Sequence, residues 1–356
     1  MIERNMLTGV KPVKFKLGKE ILALREQVLD QNLSEVDRLE ALEDITNLEV
    51  GDTSLSRVRN LEREYDIRQL YIKFEGDNPT GTQKDRIAMA QAYDALRRGF
   101  TTVVAATCGN YGVAVSYACY LAGLQCKIYI PKSYHSERVS EMARFEAEVI
   151  YLDGSYEEVV SRSSRIALDK EYYDANPGGQ NTPLQIRAYS QISFEIYDQL
   201  RDAPKYVAVP VSNGTLIAGV YRGFVNLYKR GKTSRIPHMV AGSSAHKNPI
   251  VNSFLKGHTE VQDLQPEVIK ETKINEPLIN WHSFDGEEAL YALRVTNGFA
   301  AHVSDTSMKK MSALLSKYDG TQVLPASTAG MLAFIKMHQA NPLANDRYVS
   351  LITARK

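Results

Sequence analysis

From residue 70 onward the chain alternates two hydrophobic rhythms. Short apolar and β-branched runs recur: Leu70-Tyr71-Ile72-Lys73-Phe74, Thr101-Thr102-Val103-Val104-Ala105-Ala106, Lys127-Ile128-Tyr129-Ile130-Pro131, Glu148-Val149-Ile150-Tyr151-Leu152, Tyr206-Val207-Ala208-Val209-Pro210-Val211 and His238-Met239-Val240-Ala241-Gly242-Ser243. Their length and composition predict strands. Most lead through a Gly, Asn or Ser loop into apolar residues at helical spacing, as in Val113 to Gly123, the segment around Glu137 to Phe145, and the run beginning near Leu216. This alternation predicts parallel-rich sheets with helices on both faces, an α/β fold. Upstream, Lys19 to Leu48 is charged and leucine-rich at helical spacing, with little Gly or Pro, which predicts an exposed amphipathic helical extension.

The 356 residues, 44% of them apolar, suffice for a substantial core divided into two domains. The loop from Tyr173 to Pro183, with its Asn-Pro-Gly-Gly, marks a return between them. Charge narrows the partners: 43 basic residues against 42 acidic ones give no field to draw in nucleic acid or an anionic membrane, which leaves a small molecule. The charged start Met1-Ile2-Glu3-Arg4 lacks the apolar core of a signal peptide, and no apolar run reaches membrane-spanning length, so a cytoplasmic protein is expected. Cys108, Cys119 and Cys126 have no metal-ligand or disulfide-scaffold spacing, and Cys119 and Cys126 read as core residues. The histidines, from His135 to His338, form no metal-ligand pair, so no metal site is expected.

Candidate chemistry begins at Lys84, which follows the strand at Leu70–Phe74 and the turn Glu75-Gly76-Asp77-Asn78-Pro79-Thr80-Gly81-Thr82-Gln83. A free lysine is neutral in only about one copy in 2,500 at pH 7, so a nucleophilic one needs a desolvating pocket. Glu75 and Asp85 flank it as organisers of the turn and the helix start. Gly76 and Gly81 have P-loop spacing, but Lys-Ser/Thr does not follow, and no two glycines anywhere are separated by one residue, so both nucleotide fingerprints are absent. Ser212-Asn213-Gly214-Thr215 is a second candidate, lying between a strand and a helix start. It can either cap the helix through Ser212 or Thr215, or present unpaired N–H groups to a phosphate monoester. With Lys84, the second option points to a phosphate-bearing aldehyde: pyridoxal phosphate.

Asn78-Pro79-Thr80-Gly81-Thr82-Gln83-Lys84-Asp85-Arg86 resembles the cofactor-lysine motif of fold-type II pyridoxal-phosphate enzymes, and most of all that of threonine synthases. Gly51-Asp52-Thr53-Ser54-Leu55, Thr107-Cys108-Gly109-Asn110 and Pro325-Ala326-Ser327 are similar to three further motifs of that family, in family order. The resemblance implies the two-domain fold of tryptophan synthase beta-like proteins. Residues 51–85 and 196–356 would form the large cofactor-binding domain, residues 86–195 the small substrate-carboxylate domain, and residues 1–50 the extension. It implies a Schiff base on Lys84, with Asn110 at the cofactor's ring oxygen. Ser212, Asn213, Gly214 and Thr215 would take the cofactor phosphate, and Ser327, or Thr328 beside it, the pyridine nitrogen. Thr107, Cys108, Gly109 and Tyr111 would receive the carboxylate of an amino-acid substrate, and a homodimer is the common assembly.

The implied activity is that of a lyase which eliminates phosphate from O-phosphohomoserine and adds water at the β carbon. Two departures touch that substrate. Ala188-Tyr189-Ser190-Gln191 stands where those enzymes carry Gly-Gln-Lys-Thr, with Arg187 the nearby cation, and Ser212 replaces the usual glycine of the phosphate loop. The alternatives are β-replacement or β-elimination on serine, phosphoserine or threonine, and a non-catalytic metabolite-binding paralogue.

Overall fold

The computed structural model describes residues 17–107, 109–133 and 138–356. The chain divides into two compact units, Met1–Val50 with Lys84–Leu184, and Gly51–Gln83 with Gln185–Lys356. The strands are β1 (Leu55–Arg57), β2 (Leu70–Phe74), β3 (Thr102–Ala106), β4 (Gln125–Pro131), β5 (Glu148–Leu152), β6 (Tyr173–Asp174), β7 (Tyr206–Pro210), β8 (His238–Ser244), β9 (Phe299–Val303) and β10 (Tyr348–Ile352).

The first unit is built on a parallel sheet ordered β5-β4-β3-β6. Every residue of β3 is buried, as expected of an inner strand covered on both faces. The helix Asn110–Ala122 is buried along nearly its whole length from Tyr111 and stops where Gly123 turns left-handed at φ 69°. The segment read as one helical extension is a pair, Lys19–Leu29 and Glu35–Glu49, the second opened by a reciprocal Ser34/Asp37 cap. The pair packs on the helices Lys84–Arg97 and Asn110–Ala122. Arg25 lies 3.9 Å from the Tyr120 ring centroid, and the Tyr117 hydroxyl donates to Glu49 at 2.8 Å. Cys119 and Cys126 are 1% and 5% exposed, as core residues should be, whereas Cys108, His135 and Glu137 lie outside the described residues.

In the second unit the sheet runs β1-β2-β10-β7-β8-β9, parallel except for the edge strand β1. Its innermost strand β10 is buried along its whole length and pairs with β2 on one side and β7 on the other. Tyr348 and Ile352 share one apolar cluster with Leu70, Ile72, Ala208, Val240 and Phe334. Parallel order places the carboxyl ends of β2, β10 and β7 side by side, neighbours about 4.8 Å apart.

Candidate active site

The lysine loop leaves β2 through a tight turn at Glu75–Asp77, and the helix Lys84–Arg97 follows it. Buried polar groups hold the turn from one side. Thr53 Oγ1 donates to Glu75 Oε1 at 2.8 Å, Asn78 Nδ2 donates to Glu75 Oε2 at 3.1 Å, and Asn78 Oδ1 accepts the Gly51 N–H at 3.0 Å. Glu75 therefore organises the turn. Beneath it, Lys73 is fully buried with its ammonium 2.7 Å from Glu195. On the other side the loop is bonded to the segment after β10. Gln83 N–H donates to Thr353 O and Arg355 N–H to Gly81 O, both at 3.0 Å, and Arg355 Nη2 donates to Pro79 O at 2.9 Å. Gly81 has φ +86°, a conformation that favours glycine, and a Cβ there would also push aside the Arg355 side chain, whose Nε lies 2.6 Å from its position. Bonds on both flanks fix where the backbone delivers Lys84.

A second loop leaves β3. Thr107 is buried and donates its N–H to Tyr129 O at 3.0 Å, and Gly109 opens the helix Asn110–Ala122 without a side-chain cap. The first N–H groups of that helix thus have no partner within it and face an anion favourably. Asn110 Oδ1 accepts from Arg138 Nη1 at 2.6 Å. The Tyr111 hydroxyl donates to Ala175 O at 2.5 Å and accepts from Gln91 Nε2 at 2.6 Å. Burial pushes that phenol well up, so it stays neutral. Lys84 Nζ lies 5.4 Å from the Tyr111 ring centroid, within range of the ring's negative face. Tyr111 is a fixed aromatic wall for the amine, its hydroxyl tied off elsewhere.

The third loop leaves β7. Gly214 sits at φ +101°, where a Cβ would meet Asp285 O at 2.6 Å and Ala289 Cβ at 2.9 Å. No side chain caps the helix Thr215–Lys229, whose N-cap is Gly214, and the Thr215 hydroxyl donates to the Asp285 carboxylate. The first N–H groups of that helix therefore have no side-chain partner at its start, and such groups suit an oxyanion. An asparagine web fixes its shape: Asn248 Nδ2 donates to Ser212 O at 2.9 Å and to Asn280 Oδ1 at 3.0 Å, and Asn280 Nδ2 donates to Asn213 Oδ1 at 3.1 Å. Asn248 and Asn280 are 0% and 2% exposed. Asp285 N–H closes the frame on Asn213 O at 3.0 Å. Asn248, Asn280 and Asp285 carry no motif of their own and reach the loop only through tertiary contacts.

Ser327 and Thr328 part company. Thr328 donates to Pro325 O at 2.7 Å inside its own turn, whereas the Ser327 hydroxyl accepts from Thr353 Oγ1 and from Ala354 N–H, both at 3.0 Å. Thr353, missed in the sequence, directly follows β10. Three adjacent parallel strands therefore end in the lysine loop, the Thr353–Ser327 pair and the Gly214 loop, the place where open α/β sheets bind ligands. Among the described residues, no group of three or more His, Cys, Asp or Glu could hold a metal ion.

Residues 46–354 match the family described as pyridoxal-phosphate dependent enzyme. The chain belongs to that family. Among curated relatives, the threonine synthase of Methanocaldococcus jannaschii is 28% identical over 313 residues, 87% of this chain and 75% of that protein. The threonine synthase of Bacillus sp. strain ULM1 is 29% identical over 312 residues, 87% of this chain and 83% of that one. Among solved structures, maize serine racemase superposes with a TM-score of 0.71 at 18% identity, covering 90% of this chain and 94% of that one. The T.th. threonine deaminase does so at 0.71 and 19%, covering 89% and 97%. These two likenesses place the pyridoxal-phosphate enzyme in the fold-type II architecture. The residues present fit the cofactor: an uncapped helix start behind Gly214 suits its phosphate, Lys84 its aldehyde, and the Ser327–Thr353 pair a ring nitrogen.

Proposed function

We propose that the protein is a lyase of amino-acid metabolism of the threonine synthase kind, releasing phosphate from O-phosphohomoserine and adding water at the β carbon. The observation that carries this reading is the run of curated relatives named threonine synthase, which align along most of the chain. Pyridoxal phosphate, when bound, supplies an electron-withdrawing ring that stabilises negative charge beside the substrate nitrogen.

The residues divide the remaining work. Lys84 would hold the cofactor through its aldehyde and would be the base that takes the substrate's α proton and returns it later. Thr107, Cys108, Gly109 and Tyr111 receive the substrate carboxylate, with the helix N–H groups behind Gly109 as donors. Asn110 donates to the ring oxygen. The N–H groups of the Ser212–Thr215 loop bind the cofactor phosphate, and Asp285 keeps the Thr215 hydroxyl turned away from it. Ser327, oriented by Thr353, faces the ring nitrogen. A neutral hydroxyl there does not hold the nitrogen protonated as a carboxylate would, so electron withdrawal stays moderate, which suits elimination and replacement. Incubation with O-phosphohomoserine should release threonine and phosphate in equal amounts; phosphate without threonine, or neither product, would refute this assignment.

One observation favours a second reading. Tyr189 is fully buried, and its Cβ comes within 2.5 Å of where a Cβ on Gly219 would sit; Ser190 O does the same to Gly223. The stretch standing in for Gly-Gln-Lys-Thr is thus a packing seam and brings no lysine for a distal phosphate. A β-elimination or β-replacement enzyme acting on serine or threonine, neither of which carries a phosphate, needs no such lysine; phosphoserine, the remaining candidate substrate, would need another cation. Keto-acid formation from serine or threonine, with O-phosphohomoserine inert, would decide for it. Either enzyme would act as a homodimer, which sedimentation of the purified protein tests.

A further inference from the structure

Arg138 lies outside every motif, yet its guanidinium is locked onto the amide that begins the helix Asn110–Ala122. Nη1 donates to Asn110 Oδ1 at 2.6 Å from 28 positions along the chain. The other edge of the guanidinium forks onto Glu141, with Nε to Oε1 at 2.7 Å and Nη2 to Oε2 at 2.8 Å. A bidentate pair of this kind fixes the plane of the guanidinium as well as its position.

Chemistry decides which end of the amide meets it. A guanidinium carries donors and no acceptor, so the Asn110 atom at 2.6 Å is the oxygen, and Nδ2 with its two N–H groups points the other way. Glu141 also sets an opposite charge beside the guanidinium, so the pair as a whole carries no net charge to Asn110 and acts through direction. We infer that Arg138, held by Glu141, is a positioning residue that turns the Asn110 amide so that an N–H, never the carbonyl oxygen, is offered to the cofactor's ring oxygen. The inference rests on the reading of Asn110 given above. Without Arg138 the amide rotates between two faces, and in one of them two oxygens oppose each other.

The expected signature is spectroscopic. A donor at the ring oxygen favours its ionised form, so losing that donor moves the pH midpoint of the bound-cofactor absorbance upward. Arg138→Met should raise the midpoint by about one unit, the size of one neutral hydrogen bond. Arg138→Lys should behave much the same, because an ammonium cannot fork onto Glu141 and reach Asn110 together. Glu141→Gln, which keeps the arginine but loosens it, should give a smaller rise in the same direction. Far-UV circular dichroism confirms that each variant is folded; if Arg138→Met is not, the lysine and Glu141 variants carry the test.

Two failures are distinguishable. If the wild-type protein shows no cofactor absorbance and borohydride attaches no cofactor to the Lys84 peptide, the functional reading falls and takes this inference with it. If the wild type and the folded variants all bind cofactor with one common midpoint, the reading stands and the role of Arg138 is overturned.

Discussion

The loops after β3 and after β7 share one plan, a buried strand, a glycine and an uncapped helix, but they are held by opposite means. The β7 loop is a backbone structure: Gly214 at φ +101° is wedged against Asp285, and Asn248, Asn280 and Asp285 bond to its main chain and to Asn213. The β3 loop is a side-chain structure. Among the described residues nothing lies within 4 Å of a Cβ built on Gly109, its chain neighbours aside, and the fixed features are the Asn110 amide under Arg138 and the Tyr111 ring. On the proposed assignment, the cofactor phosphate would meet a rigid cradle of backbone N–H groups, and the substrate a face specified by side chains that substitution can redraw.

Lys84 belongs to neither loop, and its removal is the largest effect expected. Lys84→Ala should abolish covalent attachment, read as loss of the borohydride-stable mass adduct, and lower turnover at least ~1,000-fold. Next comes the contrast itself. Gly214→Ala should weaken cofactor binding about 10- to 100-fold, through ~1–3 kcal/mol of backbone strain and displacement. Gly109→Ala should change it by only about twofold. Equal effects by fluorescence titration would erase the distinction between the loops. Asn280→Ala, which strips several bonds from the web at once, should lower stability by about 1–3 kcal/mol in thermal denaturation and weaken cofactor binding as well.

Acid sharpens the comparison by loading β9 of the second unit. Burial, helped by the neighbouring His246, pushes His302 in β9 down from 6.5 to about 4. The unfolded chain then takes up that proton first, so the stabilisation is complete above the ordinary histidine value and drains away as pH falls through the window toward 4. Melting temperature against pH should decline across that window, and His302→Asn should flatten the decline. The smallest effect belongs to Ser350, whose buried hydroxyl in β10 has no hydrogen-bond partner among the described residues. Ser350→Ala should be neutral or stabilising by under about 1 kcal/mol, read as the denaturant midpoint.

What could be read from the chain, and what could not, follows from distance along it. Lys84, the Thr107–Tyr111 run and the Ser212–Thr215 run announce themselves because strand, turn glycine and helix start are consecutive there. The α/β alternation was legible for the same reason. Thr353, Arg138, Asn248 and Asn280 were silent: each joins its loop from at least 26 positions away, and nothing local to it differs from an ordinary surface or core residue. The helical extension showed its periodicity but hid its break, since Ser34 is one serine among many until it is seen accepting from Asp37 N–H.

The position of β10 also dictates an order of events. Residues 348–352 insert between strands made from residues 70–74 and 206–210, so the sheet stays split until they arrive. Gln83, Gly81 and Pro79 bond to Thr353 and Arg355, just beyond that strand, so these contacts are expected to form with its insertion. Such long-range closure is slow compared with local helix formation. Vitamin capture during refolding should therefore lag behind the recovery of helical signal, and the colour of the maturing protein becomes a clock for its last strand.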